Sequence, residues 1–178
     1  VGLESGHAET LALLGKNYTP EKAERELLRL KSFGYDFCLN IIVGGGGTKY
    51  SEAHAAATAK LMNRIQPWMI FLATLFLTEG NPLYEKAQAG GFEENTAGNN
   101  LREEERLLTA LELEYTFLLG MHTSNAVPLA GYLSDDKERL LTALSRGIVA
   151  LDEDFLAALL FRRGASPHPR VLRPRGRE

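Results

Sequence analysis

Three apolar runs, each followed by a polar or glycine-rich stretch and then by a helical pattern, set the rhythm of the chain up to about residue 90. VGLESG, residues 1–6, passes from apolar to polar residues and glycine, and AETLALLG after it reads as a short helix. Thr19 then offers an N-cap and Pro20 a first helical position, with Ala23, Leu27, Leu28 and Leu30 on one broad face and Gly34 as the stop. DFCLNIIV, residues 36–43, is apolar on both faces, as a strand covered by helices on one side and by a core on the other must be. The glycines Gly44 to Gly47 follow, and the next helix is expected to be capped by Ser51 and stopped by Pro67. WMIFLATLFL is the third strand, after which Asn81 and Pro82 open another short helix.

This order of strand, loop and helix predicts an α/β protein with parallel strands and right-handed crossovers. Beyond residue 90 the pattern reads as helices only. GGFEENTAGNN is a loop, and residues 101–118 form a helix with Leu107, Leu108, Leu111, Tyr115 and Leu118 on its apolar face. Residues 134–150 form another helix, capped by Ser134, and a last one spans about 153–163, ending at Gly164. There is no internal repeat.

With 178 residues, 44% hydrophobic and 24% charged, the chain suits one globular domain or a sizeable part of a larger one. The net charge of −3 hides an asymmetry: over residues 162–178, Arg162, Arg163, Arg170, Arg173, Arg175 and Arg177 face a single acid, Glu178, so the body is acidic and the end basic, with residues 164–178 as its tail. That tail has no aromatic residue to stack a base and no helical periodicity, which argues for a solvated, disordered end rather than contact with nucleic acid or acidic lipid. The single cysteine, Cys38, excludes a disulfide framework and a complete cysteine metal site within the chain, and fits a reducing cytoplasm. The longest apolar stretch is about half of what a membrane span requires. Val1 already reads as the end of a strand, so the beginning of the protein is expected to lie elsewhere.

In parallel α/β folds ligands bind at the carboxyl ends of the strands. The three ends here carry Glu4 and Ser5 before Gly6, then Gly44 to Gly47, then Thr78 to Asn81. Glycine loses the most backbone freedom on folding, so four in a row need something that approaches the backbone closely, and the expected something is a ligand. A phosphate on backbone N–H groups and the following helix N-terminus would suit the loop, although neither GxxxxGK[ST] nor a GxGxxG with its downstream acid is present. A flat uncharged group such as adenine suits it equally. Glu4 could accept hydrogen bonds from ribose hydroxyls or an ammonium group, or it could cap the helix that starts near His7. His7 and His54 lie early in helices beside these strand ends, where a lone histidine is more often structural than catalytic. His122, Thr123, Ser124 and Asn125 gather before a proline, either as a turn bonding its own backbone or as a segment closing over a site. Cys38, set among apolar neighbours, is expected to pack as a small buried hydrophobe.

In order, VGLESG, LLGKNYTPEKA, LNIIVGGGGTKYSEAHAAATAKLMNRIQP, FLATLFLTEGNPLYEKAQAGGF and HTSNAVPLAGYLSDDKERLL resemble the C-terminal part of a radical S-adenosylmethionine (SAM) protein. The resemblance covers about residues 1–150 and is closest to a broad group whose individual reactions are mostly uncharacterised. It implies the C-terminal half of a partial (β/α)6 TIM-type barrel, strands four to six, over residues 1–90, followed by a helical extension over residues 91–163. It also implies contacts to SAM: Glu4 and Ser5 at the ribose or amino acid part, Ile42, Val43, Gly44, Gly45 and Gly46 beside the adenosine, and Leu75, Phe76 and Leu77 at the adenine. His122, Ser124 and Asn125 become candidates for the substrate side. For the whole protein it implies reductive SAM cleavage at a [4Fe-4S] cluster to a 5′-deoxyadenosyl radical that abstracts hydrogen from an unknown substrate.

The family's CxxxCxxC and Gly-Gly-Glu segments are absent, and TEGNP departs from the usual loop. Three thiolates hold the cluster in that family, so this chain alone is expected to be inactive, to need the missing N-terminal half, and to self-associate through its uncovered edge strand. Two rival readings remain: a phosphate-binding TIM-barrel enzyme, and a non-catalytic binding or assembly module that docks through its later helices.

Overall fold

The computed structural model describes residues 1–151; the helix expected over 153–163 and the basic tail lie outside the described residues. The elements run β1 (Gly2–Glu4), α1 (Ala8–Leu13), α2 (Pro20–Ser32), β2 (Cys38–Val43), α3 (Gly47–Ile65), β3 (Met69–Thr74), α4 (Pro82–Gln88), α5 (Ala97–Ala110), β4 (Phe117–Gly120), β5 (Leu129–Tyr132) and α6 (Leu133–Ala150). They build one five-stranded sheet in the order β1-β2-β3-β4-β5. The first four strands are parallel and β5 returns antiparallel to β4, so β1 and β5 are the sheet edges.

Local signals explain most of these elements. The Thr19 hydroxyl accepts from Lys22 N (3.3 Å) with Pro20 at the first helical position, and Asn81 accepts from Leu83 N (2.9 Å) ahead of Pro82. Side chains alternate between faces along each strand: Leu39, Ile41, Val43, Ile70, Leu72, Leu118 and Leu129 point into one core together with Ala59 and Met62 of α3 and Leu101, Leu107 and Leu108 of α5. Helix α3 packs against α1, α2 and α5, and α6 against α5 and β5, so the helices form a layer on that face.

Several expectations are corrected. The helix drawn over 101–118 begins earlier, where the Thr96 hydroxyl accepts from Asn99 N (3.1 Å), and stops at Ala110. Leu118 lies in a strand and Tyr115 stands 83% exposed between the two elements. FLLG and LAGY are too short for either periodicity to declare itself, yet their pairing extends the sheet into the region read as helices only. Ser51 does not cap α3, which starts at Gly47 with Gly46 as N-cap, and Ser134 does not cap α6, whose start is tied by Asp136 accepting from Tyr132 N (3.0 Å). Strand β3 stops at Thr74 rather than Leu77.

Candidate functional site at the carboxyl ends of the strands

The glycine loop is filled by the protein itself. Gly44, Gly45, Gly46 and Gly47 are all buried, and a Cβ on each would strike this chain: Asn100 Oδ1 at 2.5 Å from Gly44, Leu14 Cδ1 at 3.1 Å from Gly45, Thr10 Oγ1 at 2.9 Å from Gly46, and the Glu93 carbonyl and Phe92 ring at Gly47. Gly44 and Gly47 also take φ of +78° and +60°, which L side chains rarely adopt. The close approach expected of a ligand is thus made by α1, α5 and the segment before α5. The backbone donors are engaged as well: Gly45 N with Ile42 O (3.3 Å), Gly47 N with Gly44 O (3.0 Å), Thr48 N with Glu93 O (2.9 Å), and Gly44 N with the Glu103 carboxylate (2.6 Å).

Glu103 reaches this loop from α5. It accepts from Gly44 N at Oε1 and, at Oε2, from the Ser51 hydroxyl (2.5 Å) and the Asn95 amide (3.1 Å). Beside it, His54 is fully buried, with Nδ1 bonded to the Ser5 hydroxyl (2.8 Å) and Nε2 at 3.6 Å from Glu103 Oε1. That last separation is too long for a hydrogen bond. Burial, with His7 as a second cause, pushes the His54 imidazole down to about 4, so it is neutral at physiological pH and the contact to Glu103 is not an ion pair. Burial raises the Glu103 carboxyl, while its bonds from Ser51, Gly44 and Asn95 pull the other way. Glu104, next on the helix and 1% exposed, has no partner for Oε1; burial and the neighbouring Glu103 push it up to about 8. Buried bonds therefore tie Glu103 of α5 to the loop after β2, and His54, bonded to Ser5 at the end of β1, packs beside that carboxylate without bonding to it.

The other sequence candidates fall around it. Ser5 is buried and bonded to His54, whereas Glu4, at φ +60°, pairs with Lys16 Nζ (3.0 Å) and does not cap α1; the amide of His7 is bonded by Ser5 Oγ instead (2.9 Å). His7 is half-buried, with Nδ1 on Thr10 Oγ1 (3.1 Å) and Nε2 on Glu9 (3.0 Å). Leu75, Phe76 and Leu77 follow β3 as irregular chain, with Leu75 N still bonded to Val43 O (2.8 Å). The HTSN segment is a turn that bonds backbone. Asn125 accepts from Thr74 N (2.8 Å) and its hydroxyl (3.0 Å) and donates to Leu72 O and Gly120 O (2.9 Å each), leaving its amide fully occupied at the ends of β3 and β4. Ser124 bonds His122 Nδ1 (2.7 Å) and Thr74 N (3.1 Å), and the exposed His122 ring meets Phe71 edge-on at 6.0 Å. Cys38 is not buried in the core: it starts β2 on the opposite face and is half-exposed.

That opposite face is the second notable surface. By register, one row runs Gly2, Asn40, Phe71, Leu119, Ala130 and the next Cys38, Met69, Phe117, Tyr132, with Ile42 opposite Ala73 nearer the glycine loop. No charged side chain lies in these rows, and most of their residues are only half-buried, since the helical layer packs on the other face among the described residues. The rows open toward the rim that carries the glycine loop and Leu75.

Sequence reading named Ser5, His54 and the loop but missed Glu103, Glu104, Asn95, Asn100 and the bonding role of Ser51. A signal existed: Glu104 lies three residues from Leu101 and four from Leu108, and Glu103 four from Leu107, which puts both acids on the apolar stripe. A metal site does not fit, since among the described residues no three His, Cys, Asp or Glu side chains come together, and one thiol cannot ligate a [4Fe-4S] cluster. No helix among the described residues is long and apolar enough to cross a membrane.

No family model matches the chain, and no curated protein matches it in sequence. Among solved structures it is similar to an N-terminally truncated Elp3 from the archaeon Methanocaldococcus infernus, with a TM-score of 0.59 and 16% identity over 83% of this chain. The match spans 35% of that protein, about a third of its length. Over that stretch the two proteins share the α/β fold described above.

Proposed function

We propose that this chain is the C-terminal part of a radical SAM barrel, in which the glycine-loop rim meets the adenosine of SAM and the uncovered sheet face lines the interior. The observation that carries this reading is that face: among the described residues, parallel strands with a helical layer on one side, an uncharged and largely apolar surface on the other, and a polar rim at the carboxyl ends. An apolar strand face left half-exposed is the surface a barrel interior would enclose. The fold likeness to Elp3 supports the same reading.

In it, Ile42 and the backbone from Val43 to Gly46 lie against the adenosine, Leu75 to Leu77 against the adenine edge, and His122 at the substrate side. Because Ser5, Asn125 and the N–H groups of Gly44, Gly45 and Gly47 are engaged within the protein, adenosine contacts would come from side-chain surface and carbonyls rather than those donors. Glu4 would have to leave Lys16 to reach a ribose. The phosphate reading is weaker for the same reason, as the carboxylate of Glu103 already takes the Gly44 donor. In this reading, electron transfer to SAM and the cluster itself would belong to the other part of the barrel.

The test is to read the in-frame coding sequence before the Val1 codon for CxxxCxxC. The corresponding whole protein, reconstituted anaerobically with iron and sulfide, is then incubated with SAM and dithionite. Release of 5′-deoxyadenosine is the expected result. A frame without the cysteine trio, or no 5′-deoxyadenosine above the minus-protein blank, sinks the proposal.

A further inference from the structure

We propose that Glu103 is the positioning residue of the glycine-loop rim, an internal anion that holds the loop in the shape that meets adenosine. The proposal rests on the adenosine reading above. Loops that precede a helix N-terminus ordinarily collect an external anion on their N–H groups. Here Gly44 N donates to Glu103 Oε1 (2.6 Å) while Ser51 Oγ (2.5 Å) and Asn95 Nδ2 (3.1 Å) donate to Oε2, so the carboxylate stands where that anion would stand. Charge-assisted bonds of this kind are about twice as strong as neutral ones.

Two further features point to shaping rather than filling. Gly44, at φ +78°, has Asn100 Oδ1 in the space a Cβ would take, so α5 presses on the loop one turn before Glu103 pulls on it. Beside Glu103, His54 Nδ1 is bonded to Ser5 (2.8 Å), whose hydroxyl also accepts from His7 N (2.9 Å) and fixes the turn out of β1, so the loop is packed against a wall that is itself held in place. Glu103 touches no surface from which it could reach a ligand, being 1% exposed, so its effect on binding has to pass through the backbone.

The experiment is hydrogen exchange of the whole protein that contains this chain, read by mass spectrometry on peptides across residues 39–50, with and without millimolar S-adenosylhomocysteine. The variants are Glu103→Gln, Ser51→Ala and, as a control for general destabilisation, Leu107→Ala. In the unmodified chain the loop should exchange slowly and the ligand should slow it further. Glu103→Gln should speed loop exchange by about tenfold or more and abolish the ligand-induced slowing, with Ser51→Ala intermediate, consistent with a lost bond to a charged group. Leu107→Ala should speed exchange across the helical layer yet keep ligand protection at the loop.

Equal ligand protection in Glu103→Gln, or equal loss in Leu107→Ala, overturns the inference. Loop exchange at the unfolded rate in the unmodified chain without ligand overturns it too, while leaving the adenosine reading standing. Slow loop exchange with no response to S-adenosylhomocysteine in any peptide instead removes the adenosine reading, and the positioning role with it. If Glu103→Gln does not fold, Ser51→Ala decides on the same two readouts.

Discussion

Replacing Glu104 by glutamine should remove a loss of stability that the folded chain otherwise suffers as pH rises. The carboxyl is 1% exposed, its Oε1 has no partner, and burial with the adjacent Glu103 raises it to about 8 from an ordinary 4.5. Because the folded value is the higher one, the stabilising effect is complete below about pH 4.5 and is lost as pH climbs toward about 8. At about 1.36 kcal/mol per pKa unit, the loss between about pH 5 and about pH 7.5 is about 3 kcal/mol. Glutamine does not titrate, so the variant lacks this slope even if its buried amide lowers stability by a constant amount. His54 acts oppositely: its value of about 4 removes stability as pH falls below about 6.5, and it does so in both proteins, so it cancels in their difference. Urea unfolding of dilute chain, followed by far-UV ellipticity at pH 5, 6, 7 and 7.5, measures that difference. It should shift in favour of Glu104→Gln by about 3 kcal/mol across the range. A difference that stays flat would mean the carboxyl is solvated, and the reasoning from burial would be refuted.

Other expectations concern the strand ends and the open face. Asn125→Ala should destabilise by about 2 kcal/mol and raise exchange at Thr74, because it strips partners from Thr74 N, Leu72 O and Gly120 O; an unchanged urea midpoint contradicts that clamp. Gly47→Ala should cost well over 2 kcal/mol, combining left-handed backbone with collision against the Glu93 carbonyl, whereas Gly15→Ala, with φ +70° but open space, should cost about 1 kcal/mol. Comparing the two melting curves separates crowding from conformation, and equal losses would mean the loop yields. The isolated chain should self-associate through β1 and the apolar face, and Phe71→Lys should shift it toward monomer in sedimentation velocity; a monomeric unmodified chain argues against this.

The sequence disclosed the parallel part of the fold because there each element carries its own punctuation. Thr19-Pro20, Gly34, Asn81-Pro82 and the six-residue strands are local signals of definite period. The antiparallel pair was hidden since FLLG and LAGY hold four residues each and are stabilised by one another and by β3, relations with no local trace. At the candidate site the run of glycines was legible as a place of close approach, but not what approaches, because Asn100, Glu103 and Phe92 come from about 50 residues away. The acids on the α5 stripe were visible as a violation of pattern, and such violations mark a buried network.

The return of the chain through β5 decides where it leaves the body. Since β5 runs against β4, α6 begins at the lower end of the sheet and climbs beside α5, so that Gly147 comes against Val127 of the β4–β5 turn and Leu101 near the start of α5. Leu151 is thus delivered at the same rim as the glycine loop. Had β5 been parallel, the exit would have lain on the far side. Whatever follows Leu151 therefore starts from the rim that carries the glycine loop, the end of the sheet where the parallel strands stop.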